Sequence, residues 1–184
     1  MKKVFIIHGF EGSPNGGWRP WLMGELEKQG IYACALSMPN PSNPIPSEWI
    51  EEISRHVDRN KKDQIYLIGH SLGVPTILRY LEKTEATNIQ GLILVSGPVF
   101  ETTKKEVAPF LKGSFSFRLI KSKVNRVVVI HGDDDKMVPL EQGNVLAKEL
   151  NAELIVIKKG GHLNGSSGWY SLPQCFEALL RMME

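Results

Sequence analysis

Gly69-His70-Ser71-Leu72-Gly73 has the form G-x-S-x-G, and it stands directly between an apolar run, Gln64 to Gly69, and a segment with helical periodicity. That strand-turn-helix context puts a serine on a sharp turn, with its hydroxyl projecting at the carboxyl edge of a sheet, where it could act as the nucleophile of acyl transfer. The strained turn requires small neighbours, because adjacent segments must approach closely. A helix beginning at Leu72 also offers unsatisfied N–H groups and a positive dipole end, so the Leu72 N–H is a candidate donor to a developing oxyanion. The competing reading is a tight structural turn with an idle serine.

A serine hydroxyl needs a base, and five histidines compete for the task. His56 falls inside a predicted helix. His70 neighbours Ser71, so its side chain should diverge from the serine's; it remains a candidate for the substrate pocket. His8 and His131 end apolar runs, each is followed by glycine, and both are expected to shape turns. His162 lies in Gly160-Gly161-His162-Leu163-Asn164, after the last apolar run, where an imidazole can reach over the sheet edge. It is the expected base. Serine, acid and histidine follow one another in that order along chains of this type, which points to Asp133-Asp134-Asp135 for the acid. Three adjacent like charges repel, so at least one should be neutralised by a partner such as histidine. Asp135 is the first choice, standing third after Gly132 and ahead of Val138-Pro139; Asp134 is the alternative. A metal site built from these acids and His131 is disfavoured, because consecutive side chains fan outward and no second ligand cluster accompanies them.

The second oxyanion donor is expected from His8-Gly9-Phe10-Glu11-Gly12, at the N–H of Phe10. Glu11 in the same turn and Trp169, beyond His162, are candidate pocket walls, although an aromatic opening a helix is as often a packing anchor.

These groups must be positioned by a scaffold, and the chain alternates short apolar runs with longer amphipathic ones, the pattern of a parallel sheet flanked by helices. Six strands are predicted: Val4 to His8, Tyr32 to Leu36, Gln64 to Gly69, Gly91 to Ser96, Arg126 to His131 and Glu153 to Ile157. Runs such as Val127-Val128-Val129-Ile130 are expected of strands covered on both faces. Helices are predicted over Trp18 to Gln29, Ser47 to Asn60, Leu72 to Lys83, Leu140 to Leu150 and Leu172 to Met183, with Ser47 as a capping hydroxyl. Pro75 is tolerable within a first turn. Pro39 to Pro46 reads as a loop. Gly97 to Phe117, which holds at most one short helix, is either a long surface connection or a small lid or pocket wall. The fold class is α/β: a single domain over residues 1–184, a three-layer α/β/α sandwich around a six-stranded parallel sheet of order 2-1-3-4-5-6. In that order strands one and three are neighbours at the switch point, so Phe10 and Ser71 should meet.

Composition narrows the function further. Lys and Arg number 22 against 20 Asp and Glu and are scattered, so nucleic acid is not an expected partner. The basic residues from Arg118 to Arg126 are expected in a solvated loop. Cys34 and Cys175 lack the paired spacing of zinc or redox motifs, and both are expected to be buried thiols. No apolar run reaches the length of a signal peptide core or a membrane span, so a cytoplasmic location is expected. Neither a cofactor nor a metal is implied; the expected partner is a small-molecule acyl substrate, and no protein partner is indicated.

The segments His-Gly-Phe-Glu-Gly-Ser-Pro at 8–14, Trp18-Arg19-Pro20-Trp21-Leu22, Gly-His-Ser-Leu-Gly at 69–73 and Gly-Gly-His-Leu-Asn at 160–164 resemble the compact serine hydrolases related to bacterial YdeN and retinoblastoma-binding protein nine. The similarity covers nearly the whole chain. It implies a shortened α/β-hydrolase fold, lacking the first two strands of larger members, and a triad of Ser71, Asp135 and His162. Val74, where a further glycine often follows the elbow, and the triple aspartate depart from the pattern. The expected activity is that of a serine esterase with an oxyanion hole. Thioesterase or acyltransferase chemistry on the same groups, and a non-catalytic binding module on the same scaffold, are the alternatives.

Overall fold

The protein is described by a computed structural model over residues 1–57, 62–86 and 88–184. Six strands, β1 (Lys2–Ile7), β2 (Tyr32–Ala35), β3 (Gln64–His70), β4 (Ile89–Val95), β5 (Arg126–Gly132) and β6 (Glu153–Ile157), form one sheet of order β2-β1-β3-β4-β5-β6. Every pairing is parallel. The central strands are buried along most of their length, whereas the edge strands keep Tyr32 and Val156 exposed. Continuous apolar runs belong in the middle of such a sheet, since both faces are covered.

Alternation along each strand divides the core in two. Phe5, Ile7, Leu67, Leu92, Leu94 and Val129 point to one face. They meet α2 (Pro46–Val57), α3 (Gly73–Lys83), α4 (Phe117–Ser122) and α5 (Leu140–Leu150). Val4, Ile6, Ile68, Ile93, Val95 and Ile130 point to the other, under α1 (Arg19–Lys28) and α6 (Pro173–Met183). This is a three-layer α/β/α arrangement.

Several boundaries differ from expectation. Helix α2 starts at Pro46, whose fixed φ suits a first position, so Ser47 lies inside the first turn and is not the cap. It is described as far as Val57; positions 58–60 of the predicted helix lie outside the described residues. Strand β4 begins at Ile89, which pairs with Ile65 across a register irregularity ahead of Gly91. The basic stretch after Phe117 is not a solvated loop: it opens with α4, which buries Ile120, and Lys123 Nζ then donates to the carbonyls of Leu81 (2.8 Å) and Thr84 (2.5 Å) at the end of α3. A lysine there answers the unpaired carbonyls of a helix C-terminus. Cys175 is buried and its thiol is pushed up by burial, but Cys34 is only half-buried, against expectation; both are free.

The segment from Gly97 to Ser116 is held from two sides. Gln142 on α5, itself buried, accepts the N–H groups of Val99 (2.7 Å) and Phe100 (3.2 Å) and donates to Glu101 O (3.1 Å). Arg79 on α3 donates to the carbonyls of Phe110 (3.1 Å), Lys112 (2.9 Å) and Gly113 (2.9 Å), and its guanidinium carbon lies 3.9 Å from the Phe115 ring centroid. Glu82, paired with Arg79 at 2.8 Å, accepts Ser116 N–H at 2.6 Å.

Candidate active site

The turn from β3 into α3 puts Ser71 at φ +53°, in the left-handed region that a β-carbon disfavours, and Ser71 N–H is tied to Val95 O at 2.9 Å. Gly73 opens α3 against the end of β1, where an added β-carbon would lie 2.2 Å from Ile7 O. Val74 takes up the room that a glycine would leave, and the compensation is at Gly97, whose missing β-carbon would stand 2.3 Å from Val74 Cβ.

The side chains of Ser71, His162 and Asp135 form a continuous hydrogen-bonded chain. His162 Nδ1–H donates to Asp135 Oδ2 at 2.8 Å. That leaves Nε2 as an acceptor for the Ser71 hydroxyl, 2.9 Å away. Asp135 Oδ1 in turn accepts the N–H groups of Met137 (2.9 Å) and Val138 (3.0 Å). Burial raises the Asp135 carboxyl, but the His162 bond and charge and the two backbone donors outweigh it, so the group is held below its ordinary range and stays ionised.

The adjacent acids do different work. Asp134 Oδ1 accepts Gly161 N–H at 2.8 Å and Asp133 Oδ1 accepts Lys159 N–H at 2.7 Å, so both fasten the loop that carries His162. Only Asp135 reaches the imidazole. The fan-out of consecutive side chains relieves the repulsion expected of three adjacent acids by giving each carboxylate its own partner.

Phe10 follows β1 beside the elbow. Among the described residues, neither Phe10 N–H nor Leu72 N–H has an acceptor, although Glu11 N–H donates to Pro41 O at 2.9 Å and Val74 N–H to Ser71 O at 2.9 Å. Phe10 follows Gly9, whose added β-carbon would stand 2.8 Å from Ser71 Cβ, and Leu72 follows Ser71 in the chain. Phe10, Glu11, Ser71 and His162 all line one cavity of about 520 Å³. Pro98, Thr102 to Lys104 and Val107 contribute a wall, so the 97–117 segment shapes the pocket rather than merely connecting strands.

His70 borders the same cavity but is buried, and it diverges from Ser71: its Nε2–H donates to His162 O at 2.9 Å. Burial, with the neighbouring His162 adding to it, lowers its pKa to about 3, so it supports the loop as a neutral ring. His131 donates from Nε2 to Val138 O at 2.8 Å and lies 3.7 Å from Asp135 Oδ2, and burial holds it neutral as well. Trp169 is a correction: it is not part of the cavity lining, and its indole N–H donates to Gly160 O at 2.7 Å, bracing the base of the His162 loop. Sequence reasoning missed Arg19, which is buried at the cavity wall. Its signal was a cation at the first position of a helix, where an acid is the favourable choice.

Among the described residues no group of three or more His, Cys, Asp or Glu could hold a metal ion, and no helix is long and apolar enough to cross a membrane.

A parallel sheet of this order, wrapped by helices and carrying a serine on a strained elbow, defines the α/β hydrolases. The chain belongs to the serine hydrolase family, whose model matches residues 4–181. It is 36% identical over 180 residues to YdeN of Bacillus subtilis (strain 168), covering 97% of this chain and 94% of that one. The crystal structure of that gene product superposes with a TM-score of 0.94 at 34% identity, covering 100% and 99% of the two chains. The serine hydrolase RBBP9 of Rattus norvegicus is 25% identical over 171 residues, covering 89% of this chain and 88% of that one. Est1E from Butyrivibrio proteoclasticus, in a structure with bound ferulic acid, shares the fold at a TM-score of 0.78 and 19% identity, over 100% of this chain and 90% of that one.

Proposed function

We propose that the protein hydrolyses small carboxylic esters through an acyl-enzyme on Ser71. The reading is carried by one observation: the Ser71, His162 and Asp135 side chains are hydrogen-bonded in series, with Ser71 and His162 lining the cavity and Asp135 buried behind them. His162 takes the Ser71 proton as Oγ attacks the acyl carbon, and Asp135 fixes the tautomer and stabilises the imidazolium. The N–H groups of Phe10 and Leu72 hold the oxyanion, a contribution of about 10²-fold per donor. Collapse of the tetrahedral adduct expels the alcohol, which takes the proton from His162. Water, deprotonated by the same ring, then releases the acid and restores Ser71. A cavity of about 520 Å³ suits short acyl groups.

A fluorophosphonate should label Ser71 in the folded protein, and p-nitrophenyl esters should be turned over fastest with short acyl chains. Ser71→Ala and His162→Ala should each lower turnover by about 10⁴-fold or more. A folded protein that takes no label at Ser71 is a binding module on a hydrolase scaffold instead.

A further inference from the structure

Arg19 is 6% exposed, and it lines the cavity that holds Ser71. Its Nε–H donates to Ser13 O at 2.9 Å, and among the described residues no carboxylate pairs with it. Burial lowers its pKa to about 10, which still leaves the guanidinium charged at neutral pH. A buried cation without a counter-charge is costly unless something else supplies the charge. The fold nevertheless makes room for it. Gly16 lies so close that an added β-carbon would stand 2.5 Å from Arg19 Nη2. Arg19 also occupies the first position of α1, where the helix end is already positive and no acid stands in the first turn. The Trp18 ring, 6.0 Å from the guanidinium carbon, is its cation–π neighbour, but no anion of the protein balances the charge.

Lys104 and Lys136 border the same cavity, against Glu11 as its one acidic wall residue among those described. Three cations thus stand on the cavity wall against one carboxylate, and the further carboxylate nearby, Asp135, is already engaged by His162. A planar guanidinium presents a fork of donors matched to a carboxylate, and Arg19 has spent only its Nε–H on the protein.

From this we infer that Arg19 is the docking group for a carboxylate carried by the substrate, so that the substrate class is an anionic ester: a half ester of a dicarboxylic acid, or an ester whose alcohol bears the acid. The inference rests on the esterase reading above, because it concerns the same cavity. It adds what that cavity selects.

The test compares kcat/KM within two matched pairs, with the uncatalysed rate subtracted. Mono-p-nitrophenyl glutarate against p-nitrophenyl pentanoate places the charge on the acyl side; 4-acetoxybenzoate against 4-acetoxybenzamide places it on the leaving group. At least one pair should favour its charged member by roughly tenfold or more, as expected of a hydrogen-bonded charge pair. Arg19→Gln should collapse that ratio to near one, and Arg19→Lys should retain part of it. A smaller wild-type ratio in both pairs, or a ratio that Arg19→Gln leaves intact, overturns the inference. If Arg19→Gln does not fold, competition in the wild type decides: benzoate should inhibit p-nitrophenyl acetate hydrolysis at roughly a tenth of the concentration that benzamide needs, and equal potency refutes the assignment. Turnover of the neutral esters and labelling of Ser71 report on the esterase reading separately, so failure of one is not mistaken for failure of the other.

Discussion

Replacing Asp135 by asparagine separates the two functions that its carboxylate combines. Oδ1 accepts both backbone donors, Met137 N–H and Val138 N–H, and an amide oxygen can keep accepting them. The turn should therefore survive, with a stability change of about 1 kcal/mol. Oδ2 faces His162 Nδ1 at 2.8 Å, and there the substitution sets an amide NH₂ against an N–H. Two donors cannot bond, so the imidazole must move its proton to Nε2 to accept from the new amide. Nε2 then meets the Ser71 hydroxyl as a donor and can no longer remove its proton. Turnover of p-nitrophenyl acetate should fall by about 10⁴-fold, equivalent to roughly 5 kcal/mol of lost transition-state stabilisation. Asp134→Asn is the internal control: its oxygen meets only Gly161 N–H, at 2.8 Å, which the amide can also satisfy, so the loss should stay below about tenfold. Steady-state kinetics on both variants, with urea melts to confirm folding, decide the matter. An Asp135→Asn enzyme within tenfold of wild type, or an equal loss in Asp134→Asn, would refute the reasoning.

Three other outcomes are expected. His8, His70 and His131 are all held below the ordinary histidine range by burial, His70 at about 3. Unfolded, each titrates near ~6.5, so below that pH the unfolded chain binds more protons; stability is complete above ~6.5 and falls on acidification, by roughly 1.4 kcal/mol per pH unit for His70 alone. Urea midpoints at pH 7.5, 6 and 5 should decline in that order, and His70→Gln should flatten the slope; a flat wild-type profile would contradict it. Gly97→Ala drives a methyl to 2.3 Å from Val74 Cβ and should cost about 1–3 kcal/mol, and adding Val74→Gly, which removes that carbon, should leave the double variant less destabilised than the two single losses summed; strict additivity in thermal melts would exclude the proposed contact. Arg79→Met removes its bonds to the carbonyls of Phe110, Lys112 and Gly113, and limited proteolysis should then cut within residues 97–116 faster than in wild type.

The sheet was legible because its strands are unbroken apolar runs separated by amphipathic ones, a signal that depends only on which side chains must avoid water. The elbow was legible because glycine, serine and a strand-helix junction coincide at Gly69 to Gly73. What escaped depends on reach across space. Gln142 and Arg79 look like ordinary polar helix residues, yet each extends from its helix to bind the backbone of a segment more than thirty residues away. The helix at Phe117–Ser122 is too short for its single buried Ile120 to make a periodic stripe. Ser47 fits the profile of a cap, but Pro46 takes the first helical position. Trp169 and Arg19 mark the same limit in opposite directions. Their types are visible in the sequence; which one turns toward the cavity is decided by loop geometry.

The clamp on residues 97–116 has a kinetic consequence. With Gln142 gripping one end and Arg79 the other, the cavity wall between them is anchored on both sides, and on the esterase reading proposed above that wall sizes the substrate without having to open. An enzyme so built gains nothing from meeting its substrate at an oil-water boundary. Its velocity should rise smoothly with dissolved ester and show no jump when the ester passes its solubility limit and droplets form.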